Sequence, residues 1–254
     1  MKKRIILTCF CIFGLALSGT LIYYAVFRGN GDADATTNEV FNFKQHYEAL
    51  NNTPAAFNPE LIFKEMYIPE SNPFRLAEFD EINQLIKRGT GIIYLGFPIC
   101  PWCRNLVPVL ANAAIGFGVS EILYRDILED RNILELEEGE IVETRAGKPG
   151  YYRLLALLGD IAPVYAGLED DTIRRVYVPA VIFVRNGEII GYITGLDSFR
   201  DRVSDEALGG WLPMNEAEED ELFQLFMQYF RLTFEPQPAP TPSPGADDDA
   251  CPLC

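Results

Sequence analysis

Histidine is almost absent from this chain of 254 residues, which has only His46. A zinc site built on histidines is therefore short of ligands, since four nitrogen or sulfur donors are the rule. Cysteine is scarce too. Of the six, Cys9 and Cys11 lie in an apolar N-terminal run, Cys100 and Cys103 form one C-x-x-C, and Cys251 and Cys254 form another. None is left to staple a core, so the fold must be held by burial, for which roughly 170 residues are ample. Positive charge is in deficit, 21 Lys and Arg against 37 Asp and Glu, for a net −16. A nucleic-acid partner is not expected, because binding phosphates needs a cationic face. Acidity at this level serves solubility in a crowded exterior. There is no glycine-rich phosphate loop, no serine-nucleophile signature and no internal repeat.

What the chain does have begins at its N-terminus. Residues 1–4, Met1-Lys2-Lys3-Arg4, precede an apolar run over 5–27 that is long enough to cross a bilayer of about 30 Å as a helix. The cations lie before the run, with only Arg28 just after it, so the N-terminus is expected in the cytoplasm. A cleaved signal peptide is the rival reading. Its apolar region is usually shorter, whereas here Leu21 to Phe27 carries on past Ser18. Cys9 and Cys11 then read as small packing residues. Either way the remainder lies outside the cytoplasm, on a cell membrane if the anchor stays, where a disulfide couple is chemically at home.

The most specific stretch is Gly96-Phe97-Pro98-Ile99-Cys100-Pro101-Trp102-Cys103-Arg104. An apolar strand-like run, Ile92 to Leu95, feeds it and a helix-like run follows, which puts Cys100 at a helix N-terminus. There, unpaired N–H groups and the helix dipole favour a thiolate and lower its pKa. Pro101 suits the first turn, where a missing N–H costs nothing. Cys103, one turn on, can attack a mixed disulfide held on Cys100, and Arg104 adds a positive charge nearby. The arrangement reads as a dithiol/disulfide couple that needs no cofactor and no metal. Half a zinc site is the competing reading, with His46 far upstream and Cys251 and Cys254 at the other end.

Downstream, Val178-Pro179-Ala180-Val181-Ile182-Phe183-Val184-Arg185-Asn186-Gly187 reads as proline, strand and turn, with a second strand after it. Asn-Gly between two β-branched runs is a strong hairpin signal. A proline ahead of a strand belongs at its first residue, where no ladder donor is lost. Together with C-x-x-C-[K/R]-x-[L/I]-x-P at Cys100 to Pro108, this block resembles the thioredoxin superfamily over roughly residues 60–232. Within it, C-P-aromatic-C-R and an acidic final helix look like the Gram-positive thioredoxin-like proteins that accompany bacteriocin export.

The resemblance implies an α/β thioredoxin-like fold, a central mixed sheet flanked by helices, with an insertion before the cis-proline strand. It implies that Cys100 is the nucleophile and Cys103 the resolving thiol. Pro179 would be a cis-proline beside the couple, and Val178 and Trp102 would meet the substrate. It also implies protein thiol or disulfide clients and a redox partner protein. One departure stands out. Many members carry a buried Asp on the strand before the motif, whereas here Tyr94 stands six residues before Cys100 and no carboxylate lies between Gly89 and Cys100.

Organisation follows from these landmarks. Residues 28–58 read as a juxtamembrane linker with a loosely helical stretch, Asn38 to Leu50, whose apolar spacing suits docking on the domain or on the membrane surface and which carries His46 as a solvated surface residue. The thioredoxin-like domain is expected over 59–234, with a short first strand at Met66–Ile68 and a helix whose apolar spacing runs from Leu76 to Ile86. Further strands are expected at Ile92–Gly96 and Glu121–Ile127, and helices at Tyr151–Leu158 and Glu216–Phe234. Pro108 would kink the helix that starts at Cys100. The acidic stretch Glu129 to Glu143 is either a solvated excursion or a border of the substrate groove. Residues 235–254 form a Pro-rich acidic tail ending in Cys251-Pro252-Leu253-Cys254. An extended polyproline spacer of that kind could span roughly 50 Å, enough to bring Cys251 and Cys254 to the couple as a tethered shuttle dithiol.

The leading expectation is an enzyme, a membrane-anchored extracytoplasmic thiol–disulfide oxidoreductase. A non-catalytic accessory protein that holds clients for export, and a metal-binding module using both C-x-x-C pairs, remain as alternatives.

Overall fold

The computed structural model describes residues 41–206 and 208–236. The described chain opens with a short helix, α1 (Phe43–Glu48), and a small ribbon in which β1 (Pro54–Ala55) pairs antiparallel with β2 (Asn58–Ile62). The main sheet follows from five runs: β3 (Phe74–Leu76), β4 (Gly91–Gly96), β5 (Ile122–Asp126), and, after a separate hairpin of β6 (Ile133–Glu137) and β7 (Glu140–Arg145), β8 (Ala180–Arg185) and β9 (Glu188–Ile193). Its order is β3-β5-β4-β8-β9, with β3, β5 and β4 parallel and β8 and β9 antiparallel to their neighbours. The result is an α/β architecture, a mixed five-stranded sheet with helices on both faces.

Central strand β4 is apolar on both sides, as a strand covered by helices must be. Ile93 and Leu95 face a largely aliphatic layer covered by α2 (Phe79–Arg88) and α4 (Pro149–Leu158). Ile92 and Tyr94 face the other layer, beneath α3 (Pro101–Phe117) and α6 (Glu216–Phe234), with α1 at its edge. A short helix, α5 (Asp197–Arg202), joins the sheet to α6.

Local chemistry fixes these elements. α2 buries Phe79, Ile82 and Ile86 at helical spacing, with Asp80 and Glu81 in its first turn and Lys87 and Arg88 in its last, each placed to suit the helix dipole. α6 starts with a capping box in which Asn215 accepts the Glu218 N–H while the Glu218 carboxylate accepts the Asn215 N–H. Arg202 also pairs with that carboxylate, at 2.5 Å. The β8–β9 turn has positive φ at both Asn186 (52°) and Gly187 (82°), the pattern of a two-residue hairpin. Gly187 is doubly required, since a Cβ there would lie 2.5 Å from the Lys87 carbonyl oxygen.

Several expectations are refined. Met66 and Ile68 are buried and Tyr67 is exposed, but the run is no strand, because side chains from the α1 region take its backbone groups. Asn51 bonds Met66 at both N–H (3.2 Å) and C=O (2.8 Å), while Glu48 accepts the Ile68 N–H (2.6 Å) and Lys44 donates to the Ile68 carbonyl (2.9 Å). The first strand of the main sheet is Phe74–Leu76 instead, and α2 starts only at Phe79. Of the two docking places open to the helical stretch, the domain takes it, with Phe43 and Tyr47 part of the core. His46 is half-buried, 34% exposed, with Nε2 at 3.5 Å from Asp126. Pro108 lies inside α3, which runs unbroken through it. The acidic stretch forms the exposed β6–β7 hairpin, but Asp130 at its root is buried and takes Arg125 at 2.7 Å and Lys148 at 2.6 Å. Among the described residues no helix is long and apolar enough to cross a membrane, and residues 5–27 lie outside them.

Candidate functional site

β4 ends at Gly96, and a turn closed by the Cys100 N–H on the Phe97 carbonyl, 3.2 Å, leads into α3. Cys100 is the N-cap, with an extended backbone (φ −83°, ψ 115°). Its sulfur stands where a capping oxygen would, accepting the Cys103 N–H at 3.2 Å. Pro101 takes the first helical position, as expected. Both cysteines are free thiols. Cys100 is 5% exposed and Cys103 fully enclosed, so Cys100 is the one with access to the surface.

The two thiols differ in acidity. Burial opposes ionisation of Cys100, but it is outweighed by the Cys103 thiol, the N–H groups of Cys103 and Trp102, and the charge of Arg131. The Cys100 pKa therefore falls below that of an ordinary thiol. Cys103 is pushed well above it, first by burial and then by its Cys100 partner. One thiol is primed as an anion while the other holds its proton.

The cation that helps Cys100 is not the one expected. Arg104 turns away into the α1 region, donating to the Tyr47 carbonyl (2.9 Å), Asn51 Oδ1 (2.5 Å) and the Lys64 carbonyl (2.7 Å). Arg131, in the loop after β5, lies over the Phe97 ring at 5.1 Å and faces the couple. No spacing rule links residue 131 to the motif, so the sequence gives no signal for it.

From the other side, the Val178 carbonyl accepts the Cys100 S–H at 3.7 Å. The Val178–Pro179 peptide bond is cis, Pro179 is buried, and Val178 is partly exposed. β8 thus delivers Val178 and Pro179 to the couple from 78 residues away along the chain. Trp102 is partly exposed beside Cys100, with its ring edge-on to Phe199 at 5.3 Å. Gly210 packs against it so closely that a Cβ there would lie 2.6 Å from the indole nitrogen. Two clefts, of about 270 and 440 Å³, meet at Pro101 and Trp211, and Trp102 lines the larger.

Beneath the couple lies a cluster of tyrosines. Tyr94 on β4 and Tyr124 on β5 are register partners stacked at 5.6 Å, and the Tyr47 hydroxyl on α1 meets that of Tyr94 at 2.8 Å. All three side chains are fully buried, and burial drives the pKa of each well up. The sequence marks Tyr94 only as the place where a carboxylate is missing, and it gives Tyr47 no role.

Cys251 and Cys254 lie outside the described residues. Among the described residues, no group of three or more His, Cys, Asp and Glu side chains is gathered closely enough to hold a metal ion. No family model, no curated protein and no solved structure matches the chain.

Proposed function

We propose that the protein is a thiol–disulfide oxidoreductase of thioredoxin-like fold, acting on extracytoplasmic protein thiols and disulfides through Cys100 and Cys103. The observation that carries this reading is the split between the two thiols. Cys100, at the helix cap, is the more acidic and has the surface access, while Cys103 is enclosed and holds its proton. A structural dithiol needs no such asymmetry, whereas an exchange couple uses it.

In exchange, the Cys100 thiolate attacks a client disulfide and one client sulfur leaves with the electron pair. Cys103 then attacks the Cys100 sulfur of the mixed disulfide, closing the intramolecular bond and releasing the second client sulfur. The reverse sequence oxidises a client dithiol, and relative potentials set the direction. Val178, partly exposed and in contact with the Cys100 sulfur through its carbonyl, offers an extended client segment a place to dock. An anchor over residues 5–27 would hold this chemistry at the outer face of the membrane.

The test uses Cys100→Ser and Cys103→Ser in disulfide reduction with a protein substrate. Cys100→Ser is expected to fall to the uncatalysed rate, and Cys103→Ser to accumulate client mixed disulfides on Cys100. Full activity in Cys100→Ser would overturn the proposal.

A further inference from the structure

One stripe of α3 is left partly or fully exposed. Pro101, Asn105, Pro108 and Asn112 recur at helical spacing along it, and all four line the smaller of the two clefts, of about 270 Å³. Phe63, Tyr67 and Trp211 line it too, with the Phe63 ring stacked on Trp211 at 5.0 Å and Tyr67 68% exposed. The cleft therefore follows the helix from Asn112 to Pro101, the residue next to Cys100. A trough of aromatic rings and prolines is the kind of surface that takes a proline-rich segment, which is already extended and loses little entropy on docking.

The chain carries such a segment, and it starts at the right end. α3 and α6 run side by side in one direction. Glu219, in the first turn of α6, lines the cleft, while the ring of Phe234 at the end of α6 lies 6.4 Å from that of Phe117 at the end of α3. The chain beyond Pro236 lies outside the described residues, and its sequence puts a proline at every second position from Pro236 to Pro244. In a polyproline conformation residues 236–244 span about 28 Å. α3, with 17 residues, is about 25 Å long. A tail that turns back at Phe234 and follows the cleft thus brings its last proline to Pro101. Residues 245–250 are then the slack between that point and Cys251.

We propose that residues 236–244 dock in the cleft along α3 and hold Cys251 and Cys254 beside Cys100. The inference rests on the exchange reading above and names, within the same chain, a partner dithiol for the couple. With the couple as a disulfide, the Cys251 thiolate attacks the Cys100 sulfur, and Cys103 leaves with the electron pair. Cys254 then attacks the Cys251 sulfur, and Cys100 leaves as the thiolate. Cys103 takes up the proton that Cys254 gives up. The tail pair is oxidised and the couple reduced, so electrons and protons balance.

The experiment uses the full chain with Cys9, Cys11, Cys103 and Cys254 changed to Ser, so that only Cys100 and Cys251 can pair. This parent, kept dilute, is equilibrated with reduced and oxidised glutathione, and the fraction holding an intramolecular Cys100–Cys251 disulfide is read by mass spectrometry. That fraction gives the effective concentration of one sulfur at the other, which for an undocked tether is on the order of millimolar. Docking is expected to raise it about tenfold. Asn112→Trp, which fills the cleft away from the couple, is expected to return it to the tether value. Tyr67→Ala, which trims the cleft at an exposed position, is expected to lower it about threefold. Equal values in the parent and both variants would overturn the inference, as would Cys100–Cys251 bonds that form only between chains. If Asn112→Trp does not fold, Tyr67→Ala decides alone. Acrylamide quenching of the two tryptophans, Trp102 and Trp211, gives a second measurement on the wild-type chain. It is expected to rise when residues 237–254 are deleted, and equal quenching would also overturn the inference. A wild-type chain that reduces no protein disulfide overturns the exchange reading, while trapping and quenching still decide the docking.

Discussion

Ile93 and Tyr94 are neighbours on one strand, yet they look into different chemistries. Ile93 points into the layer under α2 and α4, with Leu95, Ile182, Val184 and Leu154 around it. Tyr94 points under α3 and α6, into a layer that holds Tyr47, Tyr124 and both thiols. Buried hydroxyls are costly unless paired, and the Tyr124 hydroxyl has no partner. Local rules of this kind are commonly broken where a protein does its work. The sheet thus separates two tasks. One face supplies aliphatic packing, and the other carries both thiols and three buried tyrosines.

That separation can be broken on purpose. Ile93→Ala removes a fully enclosed side chain from the aliphatic face and should cost about 2–5 kcal/mol in denaturant unfolding. It should leave the pH profile of Cys100 alkylation where it was. A shifted profile would show that the two faces are not independent.

Arg104→Met tests the boundary more finely. Arg104 is on the helix of the couple, yet it bonds the α1 region, and burial lowers its pKa. Losing it leaves the Tyr47 and Lys64 carbonyls short of a donor, for an expected loss of about 1–3 kcal/mol. Cys100 alkylation should again be unmoved, because Arg104 does not face that sulfur. A fall in Cys100 reactivity at neutral pH would return Arg104 to the role expected from sequence.

Arg131→Gln should have the smallest effect and the opposite character. Arg131 is the weakest of the influences named on Cys100, so its removal should raise the Cys100 pKa and slow alkylation near neutral pH by about twofold. Stability should change little, since burial already disfavours the Arg131 charge. An unchanged rate would remove Arg131 from the site.

The difference between local and remote signals explains what could be read in advance. The Cys100 cap, β4 feeding it, the Asn186-Gly187 hairpin and α6 all rest on contiguous residues, so pattern and turn chemistry suffice. Met66–Ile68 has the composition of a strand, but side chains of Lys44, Glu48 and Asn51 satisfy its backbone, which a local pattern does not encode. The same holds in the site. Cys100 and Cys103 are legible from spacing, and the place of Pro179 from the block around it. Arg131 reaches the couple only through the loop after β5, and Tyr47 only through docking of α1, contacts made by tertiary packing alone. Arg104 is misread because sequence proximity on a helix says nothing about which way a long side chain leans.

The two thiols of one couple are split in acidity, and alkylation resolved by cysteine tests that split most directly. The reduced protein is pulsed with iodoacetamide across a pH series, and modification at each sulfur is read by mass spectrometry. With its pKa lowered, Cys100 should become reactive as pH rises through a value below that of a free cysteine, while Cys103 stays unmodified until the solution is far more alkaline. A single common midpoint at the ordinary thiol value, or modification of Cys103 before Cys100, would contradict the account.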